Sequence, residues 1–152
     1  MPGTSFYKRS NFVTHLPVDC LYSPSHFWLM DLGGGKWRVG FTKFATRMLG
    51  EMVEVRFEKA AGDALASGDI VGSIEGFKAI SDLYCCGDGV FDTGNPALAT
   101  NVETVGEDPY GAGWLYEFTG KPDAKCVSLD VYRGMLDATI DKILEKQDAE
   151  EH

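Results

Sequence analysis

Eighteen glycines are spread through the 152 residues of this chain, and they limit how far any one element can run. Glycine accepts positive φ without steric cost, so glycine beside Asp or Asn marks a tight turn. Gly33-Gly34-Gly35, Gly62-Asp63, Gly68-Asp69, Gly87-Asp88-Gly89 and Gly94-Asn95-Pro96 divide the first two thirds into short β-favouring runs. That spacing predicts many short strands, hence a small barrel or sandwich flanked by helices.

Within those limits the elements read as follows. Residues 1–25 contain Pro2, Pro17 and Pro24 and little periodicity, and read as an irregular arm lying on the domain or pairing at an edge. His26–Met30 and Lys36–Phe41 form a hairpin around Asp31–Gly35. Thr42 is the expected N-cap of a helix over Lys43–Leu49, which Gly50 ends. Met52–Phe57 alternates as a half-buried strand. Ile70–Glu75 and Ile80–Tyr84 are strands flanking a tip at Lys78, and Gly87-Asp88-Gly89 is a further turn. Residues 94–105 form a loop or short helix, Glu107–Gly113 a turn, and Trp114–Phe118 a strand. Tyr132, Met135, Leu136, Ile140, Ile143 and Leu144 recur at three- and four-residue steps, which predicts a helix over Leu129–Lys146 with a frayed tail from Gln147. The expected organisation is an arm (1–25), a central domain (26–128) and a C-terminal helix packed on it (129–152).

Size and composition permit a core that needs no disulfide or metal, with nine Phe, six Tyr and three Trp to fill it. The net charge of −9 is uneven: residues 1–60 carry +3, residues 61–129 carry −8 and residues 130–152 carry −4. An acidic middle argues against nucleic acid, which demands a cationic face, and favours docking on cationic protein surfaces. No run of about 18 apolar residues exists, and the start lacks the apolar segment of a secretory signal, so the expectation is a cytoplasmic protein with no membrane segment. Cys20, Cys85, Cys86 and Cys126 lack metal-ligand spacing and read as thiols. His15 and His26 read as surface or structural histidines.

Lys78 is the only basic residue between Lys59 and Lys121. It stands in Glu75-Gly76-Phe77-Lys78-Ala79-Ile80-Ser81-Asp82, with acids on both sides. A lysine kept clear of other cations at a hairpin tip suits covalent acylation by another enzyme. A surface ion pair with Glu75 or Asp82 is the plain alternative, worth about 0–1 kcal/mol.

From His26 to Phe118 the chain resembles the H proteins of the glycine cleavage system. Three segments carry the likeness: Val39–Val53, with its Leu49-Gly50-Glu51 step; Ile74–Tyr84 around Lys78; and Glu107-Asp108-Pro109-Tyr110-Gly111-Ala112-Gly113-Trp114-Leu115. The resemblance implies a mostly β, barrel-sandwich hybrid of the lipoyl/biotinyl type with a C-terminal helix. It also implies a carrier rather than an enzyme, with lipoate amide-linked to Lys78 by a lipoate-protein ligase. Glu75, Gly76, Phe77, Ala79 and Asp82 would surround the arm, and Glu107 and Asp108 would extend an acidic docking rim. Gly76-Phe77 before the lysine, Cys85-Cys86 after it and the arm from Tyr7 to Pro24 depart from the family pattern. They look like the H-protein-like lipoate-binding proteins of microbial sulfur oxidation. In that reading the arm carries sulfur intermediates or electrons for a heterodisulfide-reductase-like complex, and Cys85 and Cys86 are thiols near the arm; they could equally be small buried hydrophobes on a strand. The alternative is the glycine role, with glycine decarboxylase, aminomethyltransferase and dihydrolipoyl dehydrogenase as partners. A third reading is an H-like protein that binds partners without lipoate.

Overall fold

The computed structural model describes residues 3–151, and side chains as far as Ala149. Its first elements correct the expectation of an irregular arm. β1 (Thr4–Arg9) and β2 (Phe12–Pro17) form an antiparallel hairpin around Ser10-Asn11, with Ser10 at φ 55°. Alternation explains it: Tyr7, Phe12, Thr14 and Leu16 turn inward, while Phe6, Val13 and His15 face out. Pro17 ends β2, where the lack of an N–H does no harm.

A six-stranded sheet follows, in the order β3, β4, β5, β11, β10, β7. Its members are β3 (Leu21–Tyr22), β4 (Phe27–Gly33), β5 (Lys36–Phe41), β7 (Ala64–Leu65), β10 (Gly87–Gly94) and β11 (Tyr116–Pro122). A second sheet orders β6 (Met52–Phe57), β8 (Ile70–Gly76) and β9 (Ile80–Tyr84). The two sheets close on one core, where Phe27, Leu29, Val39, Phe41, Phe91, Tyr116 and Phe118 of the larger sheet meet Val71, Ile74 and Leu83 of the smaller. This is the barrel-sandwich arrangement that the resemblance implied.

The predicted turn at Gly87-Asp88-Gly89 lies instead within β10. Its glycines are there for close approach: a Cβ on Gly87 would stand 2.3 Å from the Lys121 carbonyl oxygen and 2.7 Å from the Phe118 ring. The strand expected at Trp114 begins at Tyr116 and runs on to Pro122. A single 3-10 turn, Pro96–Ala99, is capped by the buried Asn95 side chain, which accepts from the Ala97 N–H.

Three helices complete the fold. α1 (Lys43–Leu49) follows β5, α2 (Thr104–Glu107) is one turn, and α3 (Leu129–Glu151) closes the chain. The frayed tail predicted from Gln147 is helical through Glu151, since Gln, Ala and Glu are good helix formers; His152 lies outside the described residues. α3 buries Tyr132, Leu136 and Ile140, one residue per turn, against Tyr7, Phe12 and Leu16 of the hairpin and Trp28 and Tyr22 of the large sheet. A second core therefore forms on the outer face of the six-stranded sheet. Polar contacts align it: Tyr7 Oη donates to Asp137 Oδ1 at 2.7 Å, and Arg9 donates to both oxygens of Asp141.

Candidate functional site

Lys78 is exposed at the tip between β8 and β9. The tip is held by three backbone hydrogen bonds. The Gly76 N–H donates to the Ala79 carbonyl, the Phe77 N–H to Glu51 and the Lys78 N–H to Leu49, each at 2.9 Å. The last two fasten the tip to the segment leaving α1, so the lysine backbone is anchored. Lys78 makes no ion pair among the described residues, so the pairing with Glu75 or Asp82 is not formed.

Two glycines make this anchoring possible. A Cβ on Gly76 would sit 2.2 Å from the Leu49 carbonyl oxygen, so only glycine lets β8 end against α1. Gly50 has φ 78°, and its N–H closes the last turn of α1 on the Thr46 carbonyl. A Cβ there would lie 2.9 Å from Lys78 Cγ. The space left by Gly50 is thus filled by the stem of the lysine. The signal for this support was present in the sequence as the helix-ending Gly50 and the Leu49-Gly50-Glu51 step, but its contact with Lys78 was not.

The neighbours predicted for the arm divide by face. Phe77 is 76% exposed and Ile80 is 71% exposed, so the lysine emerges between apolar surfaces, with Ala79 also exposed. Glu75 and Asp82 point outward from the three-stranded sheet, beside Glu54 and Arg56. Glu107 lines a cavity of about 500 Å³ with Lys78, Lys43, Arg47, Glu51 and Glu103. Asp108 has a different duty: its Oδ2 accepts from the Ala112 N–H at 2.9 Å and holds the turn.

The Glu107–Leu115 segment is a structural latch. The Pro109 carbonyl accepts from the indole N–H of Trp28 at 2.9 Å. The Tyr110 hydroxyl accepts from the Lys43 N–H at 2.9 Å and pairs with Thr14 Oγ1 at 3.1 Å. Tyr110 therefore caps α1. The Thr42 hydroxyl, the cap expected from the sequence, is instead 2.8 Å from the Tyr132 hydroxyl and ties the domain to α3. His26 joins that network through Nδ1, 2.8 Å from the same hydroxyl, and burial lowers its pKa to about 4.

The thiols expected near the arm are not there. Cys85 and Cys86 follow β9 at its far end, and five residues of strand at ~3.3 Å each separate them from Ile80. Both are buried in the main core. Cys85 Sγ donates to the Gly87 carbonyl at 2.9 Å, and burial pushes its pKa up to about 11. Burial raises Cys86 as well, and Cys126 is pushed up to about 11. A thiol held protonated is a poor nucleophile, so these cysteines act as small apolar packing groups.

Among the described residues no helix is long and apolar enough to cross a membrane. Residues 20–135 match the family profile of the glycine cleavage H-protein. The glycine cleavage system H protein of Laribacter hongkongensis is 40% identical over 105 residues, 69% of this chain and 82% of that protein. That of Idiomarina loihiensis is 38% identical over 104 residues, 68% of this chain and 80% of that protein. The crystal structure of the glycine cleavage system H protein from Mycobacterium marinum superposes with a TM-score of 0.71 at 31% identity, covering 78% of this chain and 97% of that one. These relatives all carry the glycine cleavage name, which favours the glycine reading over the sulfur reading drawn from the departures. With a barrel-sandwich of two sheets, an anchored lysine tip and matches of this extent, the chain belongs to the glycine cleavage H-protein family.

Proposed function

We propose that this chain is a lipoyl carrier with Lys78 as its attachment point, serving glycine cleavage. Members of the family are carriers that hold lipoate in amide linkage to a lysine. The residues here fit that group. Lys78 is exposed and free of ion pairs among the described residues. Its stem lies in a cradle that a side chain at position 50 would fill. The observation that carries the reading is an exposed lysine on a backbone held by hydrogen bonds to Leu49 and Glu51. When bound, lipoate would supply a disulfide–dithiol couple at the end of a long tether.

The chain's own residues do the rest. Gly76 and Gly50 set the lysine at the tip, and the backbone bonds to Leu49 and Glu51 hold it for recognition by a lipoate-protein ligase. Phe77 and Ile80 offer apolar contact beside it, and Glu75 and Asp82 supply negative charge for cationic partner surfaces. Glycine decarboxylase, aminomethyltransferase and dihydrolipoyl dehydrogenase are the partners this reading requires. Tethering converts diffusion between their sites into local search at raised effective concentration. Intact mass after co-expression with a lipoate ligase tests attachment: the wild type gains the lipoyl increment and Lys78→Arg does not. The same increment on Lys78→Arg overturns the assignment.

A second reading keeps the carrier and changes the pathway to sulfur oxidation with a heterodisulfide-reductase-like complex. What favours it is the Gly76-Phe77 tip and the hairpin β1–β2, which precedes the family-matched residues 20–135. Complementation of a glycine-cleavage mutant decides for the glycine role. Failure to complement, with selective retention of the sulfur complex in a pull-down, decides for the other.

A further inference from the structure

The β1–β2 hairpin is a sheet of its own, and one of its edges is bare. The Val18 N–H donates to the Gly3 carbonyl at 3.0 Å, which fixes the parity of the ladder. Hydrogen-bonded pairs alternate along antiparallel strands, so Ser5–Leu16, Tyr7–Thr14 and Arg9–Phe12 carry the bonds between β1 and β2. The N–H and C=O groups of the residues between them point away from the hairpin. On β1 that outer edge is covered, because Arg133 of α3 donates to the Phe6 carbonyl at 3.0 Å and to Ser5 Oγ at 2.9 Å. On β2 the Pro17 carbonyl accepts from the Tyr22 hydroxyl. Among the described residues no backbone hydrogen bond from outside the hairpin reaches the amides or carbonyls of Val13 and His15.

An open strand edge invites a further strand, and folded proteins blunt such edges with charge or proline. This one is not blunted. From Asn11 to Leu16 the strand carries no Lys, Arg, Asp, Glu or Pro, and its Phe, Val and Thr favour extended backbone. Val13 is 43% exposed and, across the hairpin, Phe6 is 54% exposed. The Phe6 and His15 rings lie 5.3 Å apart on that outward face. The hairpin also precedes the family-matched residues 20–135, so the fold shared with the family does not account for it.

We propose that this edge is a self-association site, at which the β2 strands of two copies pair antiparallel about a two-fold axis at Thr14. The occupant follows from the strand's complementarity to itself. With Thr14 opposite the partner's Thr14, Val13 falls opposite the partner's His15, and His15 opposite the partner's Val13, each as a hydrogen-bonded pair. Every bare N–H of one copy then meets a bare C=O of the other. Charge agrees at the ends. In the same register Asn11 stands opposite the partner's Pro17. Arg47 lies at Asn11, its Nη1 3.4 Å from that carbonyl, and the exposed Asp19 lies just past Pro17. Among the described residues neither Arg47 nor Asp19 has an ion pair within the chain. Pairing brings Arg47 of each copy towards the partner's Asp19, once at each end of the joint. The outward face of the resulting four-stranded sheet sets Phe6 and His15 beside the partner's Val13, an aromatic and β-branched neighbourhood that stabilises sheets. A two-fold joint closes on itself, so it yields a dimer and not a fibre. The inference stands without the carrier reading; joined to it, the dimer presents two attachment lysines on one particle.

The test is analytical ultracentrifugation of the full chain from about 1 μM to about 1 mM, a span that brackets small, transient interfaces. The wild type is expected to pass from monomer to dimer mass within it. Val13→Pro removes an edge N–H that the hairpin does not use, a place where sheets accept proline, and Val13→Lys puts a charge there. Both are expected to weaken the dimer about tenfold or more with unchanged circular dichroism. Arg47→Glu is expected to weaken it several-fold, and Arg47→Glu combined with Asp19→Arg to restore it. Amide exchange reports the joint directly. The Val13 and His15 amides are expected to slow as concentration rises, whereas Thr14, already bonded to Tyr7, does not change. A wild type still monomeric at about 1 mM overturns the proposal, and so does a dimer that both Val13 variants leave intact. Open-ended assemblies in place of a dimer overturn the two-fold register.

Discussion

Gly76 shows how much of the site depends on a missing side chain. With the Leu49 carbonyl oxygen 2.2 Å from where its Cβ would stand, Gly76→Ala must lift the tip off α1. The expected cost is about 1–3 kcal/mol, the usual range for overpacking, measured by denaturant unfolding. Ligase loading should slow in parallel, because Phe77 and Lys78 lose their anchors on Glu51 and Leu49. His26 makes a pH prediction. Held between Phe44 and Tyr132 with φ 70°, it is depressed to about 4 from a usual value near 6.5. The unfolded chain therefore binds a proton that the folded chain refuses between those values. Stability is complete above about pH 6.5 and falls as pH drops towards 4, by up to about 3 kcal/mol. His26→Asn, which tolerates the same φ, should flatten that segment of the stability curve relative to wild type.

α3 and the hairpin form one stabilising unit, because each covers the other's apolar face. Leu136 is fully buried between them, so Leu136→Ala should cost about 2–5 kcal/mol. Hydrogen exchange should show protection lost in β1–β2 and α3 together, while β8–β9 keeps its own; loss confined to α3 would refute their coupling. Tyr132→Phe removes the hydroxyl shared by Thr42 and His26, and leaving those groups unpaired costs about 1–3 kcal/mol in a thermal melt. Most elements were legible locally. β4–β5, α1, β6 and the strands flanking Lys78 follow from alternation and turn residues within a few positions of each other. The hairpin was missed because its turn is Ser10-Asn11, with neither residue a glycine, and because three prolines hid an alternation that was present all along. Thr42 was the expected cap on local grounds, but Tyr110 arrives from 67 residues away to take that place.

Charge acts on the whole molecule. Residues 61–129 carry −8, with Glu75 and Asp82 exposed on the strands that flank the lysine tip, so association with cationic partners is steered at a distance. The rate of loading by a ligase should fall as added salt shortens the Debye length from about 10 Å to about 3 Å. A salt-independent rate would assign recognition to Phe77 and Ile80 instead. The cysteines taught the opposite lesson. A few residues past Lys78, Cys85 and Cys86 read either as thiols able to exchange with an arm or as small buried hydrophobes, and they are core residues whose thiols burial keeps protonated.

Periodicity, turn chemistry and three short motifs were enough to reach the class of fold and the family and to single out Lys78 as the proposed attachment point, because each is encoded by residues near one another in the chain. Burial, cavity walls and the partners of hydroxyl groups were not, because they arise where distant segments meet. The approach of Leu49 to Gly76, the capping of α1 by Tyr110 and the packing of Leu136 against the β1–β2 hairpin exist only after two sheets and a helix have closed on each other. Packing at that range is set by the sum of all the side chains between, and no short stretch of sequence contains it.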